Sequence, residues 1–245
     1  MADRVLRVCA LYPDLMNIYA DRGNLLFFER RCAWRGLGFE LTGSGLGEPL
    51  DPDSADLFYI GGGQDRDQEL CANDMVATKR DALHAAAARG AVVLGVCGGY
   101  QLLGHSYELG DAELPGVGLV DLKTVREDGP RLIGNVAIEM QTEDGGGRGR
   151  ILAGFENHGG RTYLGAGEEP LGRVLRGHGN TGSSGFEGVR RGTVIGTYLH
   201  GPLLPKNAWF ADWLVRTALG LDELGPLDDT FEDAAHASAR RAAGL

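Results

Sequence analysis

Ala91–Gly104 reads AVVLGVCGGYQLLG, and this stretch decides the fold. Four apolar residues, Ala91 to Leu94, run into Gly95-Val96-Cys97-Gly98-Gly99, and a short amphipathic run closes at Gly104. The pattern predicts a buried strand, a tight turn centred on Cys97 and a helix starting just after it. The spacing G-x-C-x-G has the mechanics of a nucleophile elbow, with Cys in the place of Ser. Glycines two positions either side let the chain turn sharply without Cβ collisions. A Cys at a helix N-terminus meets unpaired N–H groups and the positive end of the helix dipole, and both favour a thiolate. Cys97 is therefore the candidate nucleophile, expected to be exposed and low in pKa. The plainer alternative is a buried structural Cys. The glycines at 95, 98, 99 and 104 do little for packing and favour the functional reading.

Upstream, Arg4–Leu11 reads as a buried strand ending in the loop Tyr12-Pro13-Asp14. A helix follows from about Gly23 to Arg35, with Leu25, Phe28 and Cys32 on one inward face. Cys9 and Cys32 lie among apolar neighbours and read as core. Gly36–Leu41 is a short strand, and the Gly/Pro/Asp-rich segment 43–53 a surface loop. Asp56–Ile60 is a further buried strand running straight into Gly61-Gly62-Gly63, where backbone must approach something closely. A helix over about Gln68–Arg89 leads back to the Cys97 strand. Repeated strand–helix–strand order predicts an α/β fold, a mostly parallel central sheet sandwiched between helices. In such sheets ligands bind off the carboxyl ends of the strands, the edge to which both the triple glycine and Cys97 belong.

Between Gly116 and His200 the pattern changes to short strands with Gly-rich turns, at 117–125, 133–140, 150–155, 172–175, 185–189 and 193–199. With no linker in between, these predict an antiparallel extension of the sheet and a single domain over 1–225. Gly145–Gly147 and Gly177–Gly185 read as mobile loop tips. Pro205–Leu219 is an amphipathic helix carrying Trp209, Phe210, Trp213 and Leu214. Residues 226–245 read as a loosely held tail, or one docked on a partner.

Composition narrows the function. The net charge of −10 offers no basic surface for nucleic acid. No apolar stretch approaches 18 residues, and Met1-Ala2-Asp3-Arg4 does not open a signal peptide, so a cytoplasmic protein without membrane insertion is expected. Cys9, Cys32, Cys71 and Cys97 form no CxxC pair, which argues against a zinc ribbon or a disulfide frame; no metal site is expected.

A nucleophilic Cys needs an imidazole to take its proton and later protonate the leaving group. His105 lies eight residues beyond Cys97 on the same helix, about 12 Å along its axis. His84 falls at the wrong edge of the sheet, His236 in the tail and His178 in a loop. His158 and His200 remain, each just after a strand. His200 is preferred because it follows a long apolar run and is clamped by Gly201-Pro202; His158 then reads as a hydrogen-bonded histidine that shapes the pocket.

As a set, YPDLMNIYADRGN (12–24), GGGQDRDQ (61–68), the elbow, GFENHGGRT (154–162) and GTYLHGPLLPKN (196–207) resemble the class I (triad) glutamine amidotransferases. The resemblance is narrower still to their cobyric acid synthase-like branch and, within it, to the GatD-type glutaminase subunits of lipid II isoglutaminyl synthases. It spans Leu11 to about Leu219 and implies a flavodoxin-like three-layer sandwich. It implies Cys97 as nucleophile on the glutamine carboxamide and His200 as acid–base. Backbone N–H groups at Gly62, Gly63 and Gly98 would form the oxyanion hole, with Gly62 also against the substrate. Gln101 matches a position that contacts bound glutamine, and Arg131 an arginine that grips the α-carboxylate. Many class I members carry an acid two positions after the histidine, where this chain has Pro202. GatD-type chains lack it too, and the orienting group is left between Asp14, Asp21 and a partner's carboxylate. No GxxxxGK[ST] loop is present, so no cofactor is expected in this chain. ATP and Mg²⁺ would belong to a MurT-like Mur ligase partner in a heterodimer, acting in peptidoglycan synthesis. Two rivals stand beside this reading: a glutaminase for a cobyrinate-type amidotransferase, and a non-catalytic scaffold of the same fold.

Overall fold

The computed structural model describes residues 4–18, 21–109, 112–140 and 149–245. Strand β1 (Val5–Leu11) pairs in parallel with β2 (Gly38–Ser44) and with β3 (Leu57–Ile60), and β3 with β4 (Val92–Val96). Every residue of β3 and β4 is buried. Successive strand side chains point to opposite faces, so both faces of this sheet are covered, as an α/β sheet requires. Helix α1 (Arg22–Ala33) connects β1 to β2. The helix expected over 68–89 is broken: α2 (Asp65–Asp74) and α3 (Arg80–Ala88) flank a π-helical turn, Met75–Lys79. That wide turn carries Lys79 inward, where it is fully buried and donates to Asp74 Oδ2 (2.7 Å) and Gly45 O (2.9 Å).

The expected antiparallel extension is confined to the last strands. After helix α4 (Gly98–Leu102) the chain forms β5 (Ser106–Leu109), β6 (Ala112–Pro115), β7 (Leu122–Arg126), β8 (Leu132–Met140), β9 (Ile151–His158), β10 (Gly160–Leu164), β11 (Gly172–Arg176), β12 (Phe186–Glu187), β13 (Val189–Arg191) and β14 (Val194–Thr197). The main sheet runs β13-β14-β4-β3-β1-β2, parallel except for β13. The other strands build two separate four-stranded sheets, β10-β7-β5-β6 and β12-β11-β8-β9. β7 alternates between buried and open positions at Leu122–Thr124, the mark of a strand with one wet face. The expected loop tip at Gly177–Gly185 is pinned, with the N–H groups of His178 and Gly179 donating to Glu156. The other, Gly145–Gly147, lies outside the described residues.

Helix α5 (Ala208–Ala218) packs on α1 and β4. The segment expected as a loose tail contains a 13-residue helix, α6 (Thr230–Ala242), resting on α5 and β9. Its anchor is Arg31 of α1, fully buried, whose guanidinium reaches Asp212 Oδ1 on α5 (2.7 Å) and Asp229 Oδ2 ahead of α6 (3.0 Å). Asn135 Nδ2 and His236 Nδ1 add hydrogen bonds to Ala242 O and Lys206 O. Among the described residues no helix is long and apolar enough to cross a membrane.

Candidate active site

Cys97 is the hinge between β4 and α4, with φ 53° and ψ −108°. A non-glycine residue at positive φ is strained, and strain of this kind is retained where a side chain must be thrust out of a turn. The turn is possible because its neighbours have no side chains. A Cβ on Gly99 would stand 2.3 Å from Ile60 O, and one on Gly95 would stand 2.8 Å from Gly99 O. Hydrogen bonds fix the elbow on both sides: Cys97 N–H donates to Thr197 O (2.8 Å) and Gly99 N–H to Gly61 O (3.0 Å).

His200 arrives at the same place from the adjacent strand. β14 and β4 are parallel neighbours with Thr197 opposite Val96, so both chains leave the sheet at one carboxyl edge. Phe155 of β9 then holds His200 by two backbone hydrogen bonds of 3.0 and 3.1 Å. Glu187, fully buried, locks the approach: it accepts from Tyr198 N–H (2.6 Å) and Thr197 Oγ1 (3.0 Å). His158, the other candidate base, stacks on Tyr198 (3.6 Å, 3°) and bonds Gly160 O through Nδ1 (2.8 Å), which makes it a wall of the site.

The resting couple is neutral. Cys97 is only 7% exposed, and burial, then the charge of Asp21, pushes its thiol up to about 12 against the hydrogen bond from Gly98 N–H. Burial also lowers His200 to about 4, helped by its neighbours His158, Lys206 and Arg131. The exposed, low-pKa thiol expected from sequence is thus corrected. Helix α4 has only five residues, too short for its dipole to offset desolvation.

Around this couple the expected residues divide. Arg131 precedes β8 and donates to Asn157 Oδ1 and Asn157 O, both at 2.9 Å. Its positive charge lowers the pKa of Cys97 and of His200 alike. Gly98 N–H faces the thiol, and Gly63 N lies 3.1 Å from where a Cβ on Gly98 would stand, so the N–H groups of Gly98 and Gly63 sit side by side at the elbow. Gly62 abuts Cys97, but its N–H is held by Asp21 Oδ2 at 2.6 Å. Gln101, expected on the substrate, has both ends of its carboxamide engaged: Oε1 accepts from Gln68 (2.7 Å) and Nε2 donates to the Tyr198 hydroxyl (3.1 Å). It ties α4 to α2 and to the strand that carries His200.

Of the acids left open, Asp14 is exposed, on a cavity of about 480 Å³ between α1, β1 and β2 whose lining includes neither Cys97 nor His200. Asp21 is fully buried behind Gly62. Its Oδ1 has no hydrogen-bond partner, and burial raises its pKa to about 7. Glu187, which holds the approach to His200, carried no signal in the sequence beyond lying near a turn. No group of three His, Cys, Asp or Glu side chains among the described residues could hold a metal ion.

Comparison with known proteins agrees with this geometry. A family model described as the CobB/CobQ-like glutamine amidotransferase domain matches residues 7–208. The GatD subunit of the glutamine-hydrolysing lipid II isoglutaminyl synthase of Streptococcus pneumoniae is 37% identical, covering 87% of this chain and 80% of that one. GatD of Staphylococcus aureus is 38% identical, covering 87% and 84%. Among solved structures, PurLQS from Thermotoga maritima superposes with a TM-score of 0.60 at 20% identity, over 88% of this chain and 95% of that one, a likeness of fold. The elbow at Cys97, the histidine delivered by the neighbouring strand and these matches together show that the chain belongs to the CobB/CobQ-like glutamine amidotransferase family, on the branch of the GatD subunits.

Proposed function

We infer that this chain hydrolyses L-glutamine to glutamate and ammonia through a thioester on Cys97. The ammonia passes to a MurT-like, ATP-dependent ligase partner that amidates the D-glutamate of lipid II. The observation that carries the reading is the strained Cys97 elbow beside the strand end bearing His200, in a chain 37–38% identical to GatD subunits over 87% of its length.

Cys97 Sγ attacks the carboxamide carbon of glutamine while His200 takes the thiol proton, so the ion pair forms together with the new C–S bond. The carbonyl oxygen becomes an oxyanion, stabilised by the N–H groups of Gly98 and Gly63. His200 returns its proton to the nitrogen, the C–N bond breaks and ammonia leaves. Water then attacks the thioester with His200 as base, which releases glutamate and restores the thiol. Arg131 grips the α-carboxylate in two-point fashion and so fixes the carboxamide over the sulfur. This chain needs no cofactor for these steps. ATP and Mg²⁺ act on the partner, where the acceptor carboxylate is activated.

Ammonia release from glutamine tests the reading, alone and with a co-expressed Mur-ligase-like partner. Cys97→Ser and His200→Ala are each expected to lose at least about a thousandfold in kcat. Variants as fast as the wild-type chain would reject it.

A further inference from the structure

Free glutamine presents a zwitterion at its α-carbon, and Arg131 answers only half of it. A site with one cation would accept any short carboxylate carrying a terminal amide. Selection for an amino acid needs an anion on the same rim.

Two carboxylates bear on the charge of Cys97, Asp21 and Asp65. Asp21 is fully buried, bonded to Gly62 N–H and shut behind the turn. The buried Glu156 and Glu187 are engaged by backbone N–H groups. Asp65 differs from all three. It is the first residue of α2, directly after Gly61-Gly62-Gly63-Gln64, and its side chain is half exposed. It pairs through Oδ2 with Arg126 Nη1 at 3.0 Å. Arg126 and Arg131 in turn meet at Gly159: a Cβ there would lie 3.4 Å from Arg126 Cζ and 3.5 Å from Arg131 Nη1. Asp65, Arg126 and Arg131 therefore form one continuous charged rim that starts three residues after Gly62, where a Cβ would lie 3.3 Å from Cys97 Cβ, with the acid at one end and, at the other, a guanidinium whose hydrogen bonds go to the neutral Asn157.

We propose that Asp65 is the anchor for the α-ammonium of glutamine, acting opposite Arg131 on the α-carboxylate. Arg126 holds the Asp65 carboxylate in place in the empty site, and the ammonium shares that carboxylate when substrate enters. The two charges fix the α-carbon at two points, which selects an α-amino acid over its des-amino analogue and sets which way the side-chain amide points. The proposal rests on the glutaminase reading above and adds to it the residue that recognises the amine.

The experiment compares L-glutamine with 4-carbamoylbutanoate, the same molecule without its α-amino group, by ammonia release from the full chain with its co-expressed ligase. The wild-type chain is expected to prefer glutamine by about ten- to a hundredfold in kcat/KM, the range of one charge-assisted hydrogen bond. Asp65→Asn should lose that factor on glutamine, through KM, and leave 4-carbamoylbutanoate within about twofold of wild type. Asp65→Glu, which keeps the charge, should retain most of the preference. A wild-type chain indifferent to the amine overturns the anchor without any variant. Equal losses of D65N on both substrates overturn it as well, since they mark a merely structural role in the Arg126 pair. Both outcomes leave the glutaminase reading standing, whereas a wild-type chain that releases no ammonia from glutamine rejects the two together.

Discussion

Asp21→Asn isolates one charge behind the nucleophile. The position of a Cβ on Gly62 lies 3.2 Å from Asp21 Oδ2 and 3.3 Å from Cys97 Cβ, so carboxylate and thiol face each other across a glycine. Two unit charges about 6 Å apart at an effective dielectric of about 20 repel by about 3 kcal/mol, which is about two pKa units. Asparagine keeps an oxygen for Gly62 N–H and deletes the charge. The Cys97 thiol, now pushed up to about 12, should fall by one to two units, and its alkylation at pH 8.5 should accelerate by about ten- to a hundredfold. Asp21 itself, raised to about 7, is charged above that pH and neutral below it. The ratio of variant to wild-type rates should therefore approach one below about pH 6 and open between 6 and 8. The assay is the pH profile of iodoacetamide alkylation, followed by mass spectrometry on the Cys97 peptide. A ratio that stays flat from pH 5 to 9, or a variant slower than wild type at pH 8.5, would refute the electrostatic reasoning.

Two further outcomes test the frame around the site. Gly99→Ala would set a Cβ 2.3 Å from Ile60 O and should cost about 1–3 kcal/mol, lowering Tm by on the order of 5 °C, while Gly167→Ala, with nothing within 4 Å, should leave Tm unchanged. Glu187 has its pKa raised by burial to about 8 from an ordinary 4.5, so its contribution is complete at low pH and is lost as pH rises through 8. His200, lowered to about 4, is neutral in both folded and unfolded chains above its ordinary 6.5 and adds little slope there. Between pH 6.5 and 8.5 the wild-type chain should lose stability, and Glu187→Gln should flatten that decline in chemical denaturation; an equal slope in both proteins would contradict the assignment.

What could be read in the sequence was what local spacing encodes. The Cys97 elbow is set by glycines at fixed offsets, and the buried strands beside it by unbroken apolar runs, so both were legible. His200 was preferred but not separated from His158 by local pattern, because the choice depends on which strand lies beside β4. Arg31 could not be read at all. It is an ordinary helix arginine in sequence, yet it binds Asp212 and Asp229, some 181 and 198 residues away, and so turns an apparent tail into a docked helix. The two later sheets were missed for a related reason: short alternating strands state that one face is wet, and leave open which strands they join. The ionisation of Cys97 was misjudged because the sequence shows the helix start but conceals the burial that outweighs it.

That last point bears on how the site works. Burial raises the Cys97 thiol and lowers the His200 imidazole, so both groups favour their neutral forms in the empty site. In the proposed reaction proton transfer to His200 accompanies C–S bond formation, and the N–H groups of Gly98 and Gly63 would stabilise the charge that develops on the carbonyl oxygen. The Asp21 charge, which adds to burial in raising the thiol, is the part of that shift that a single proton can remove. A chain built this way is chemically quiet without substrate. On the proposed reading, its reactivity rises when glutamine carries charge into place on the rim and when the acid behind the glycine turn is neutral.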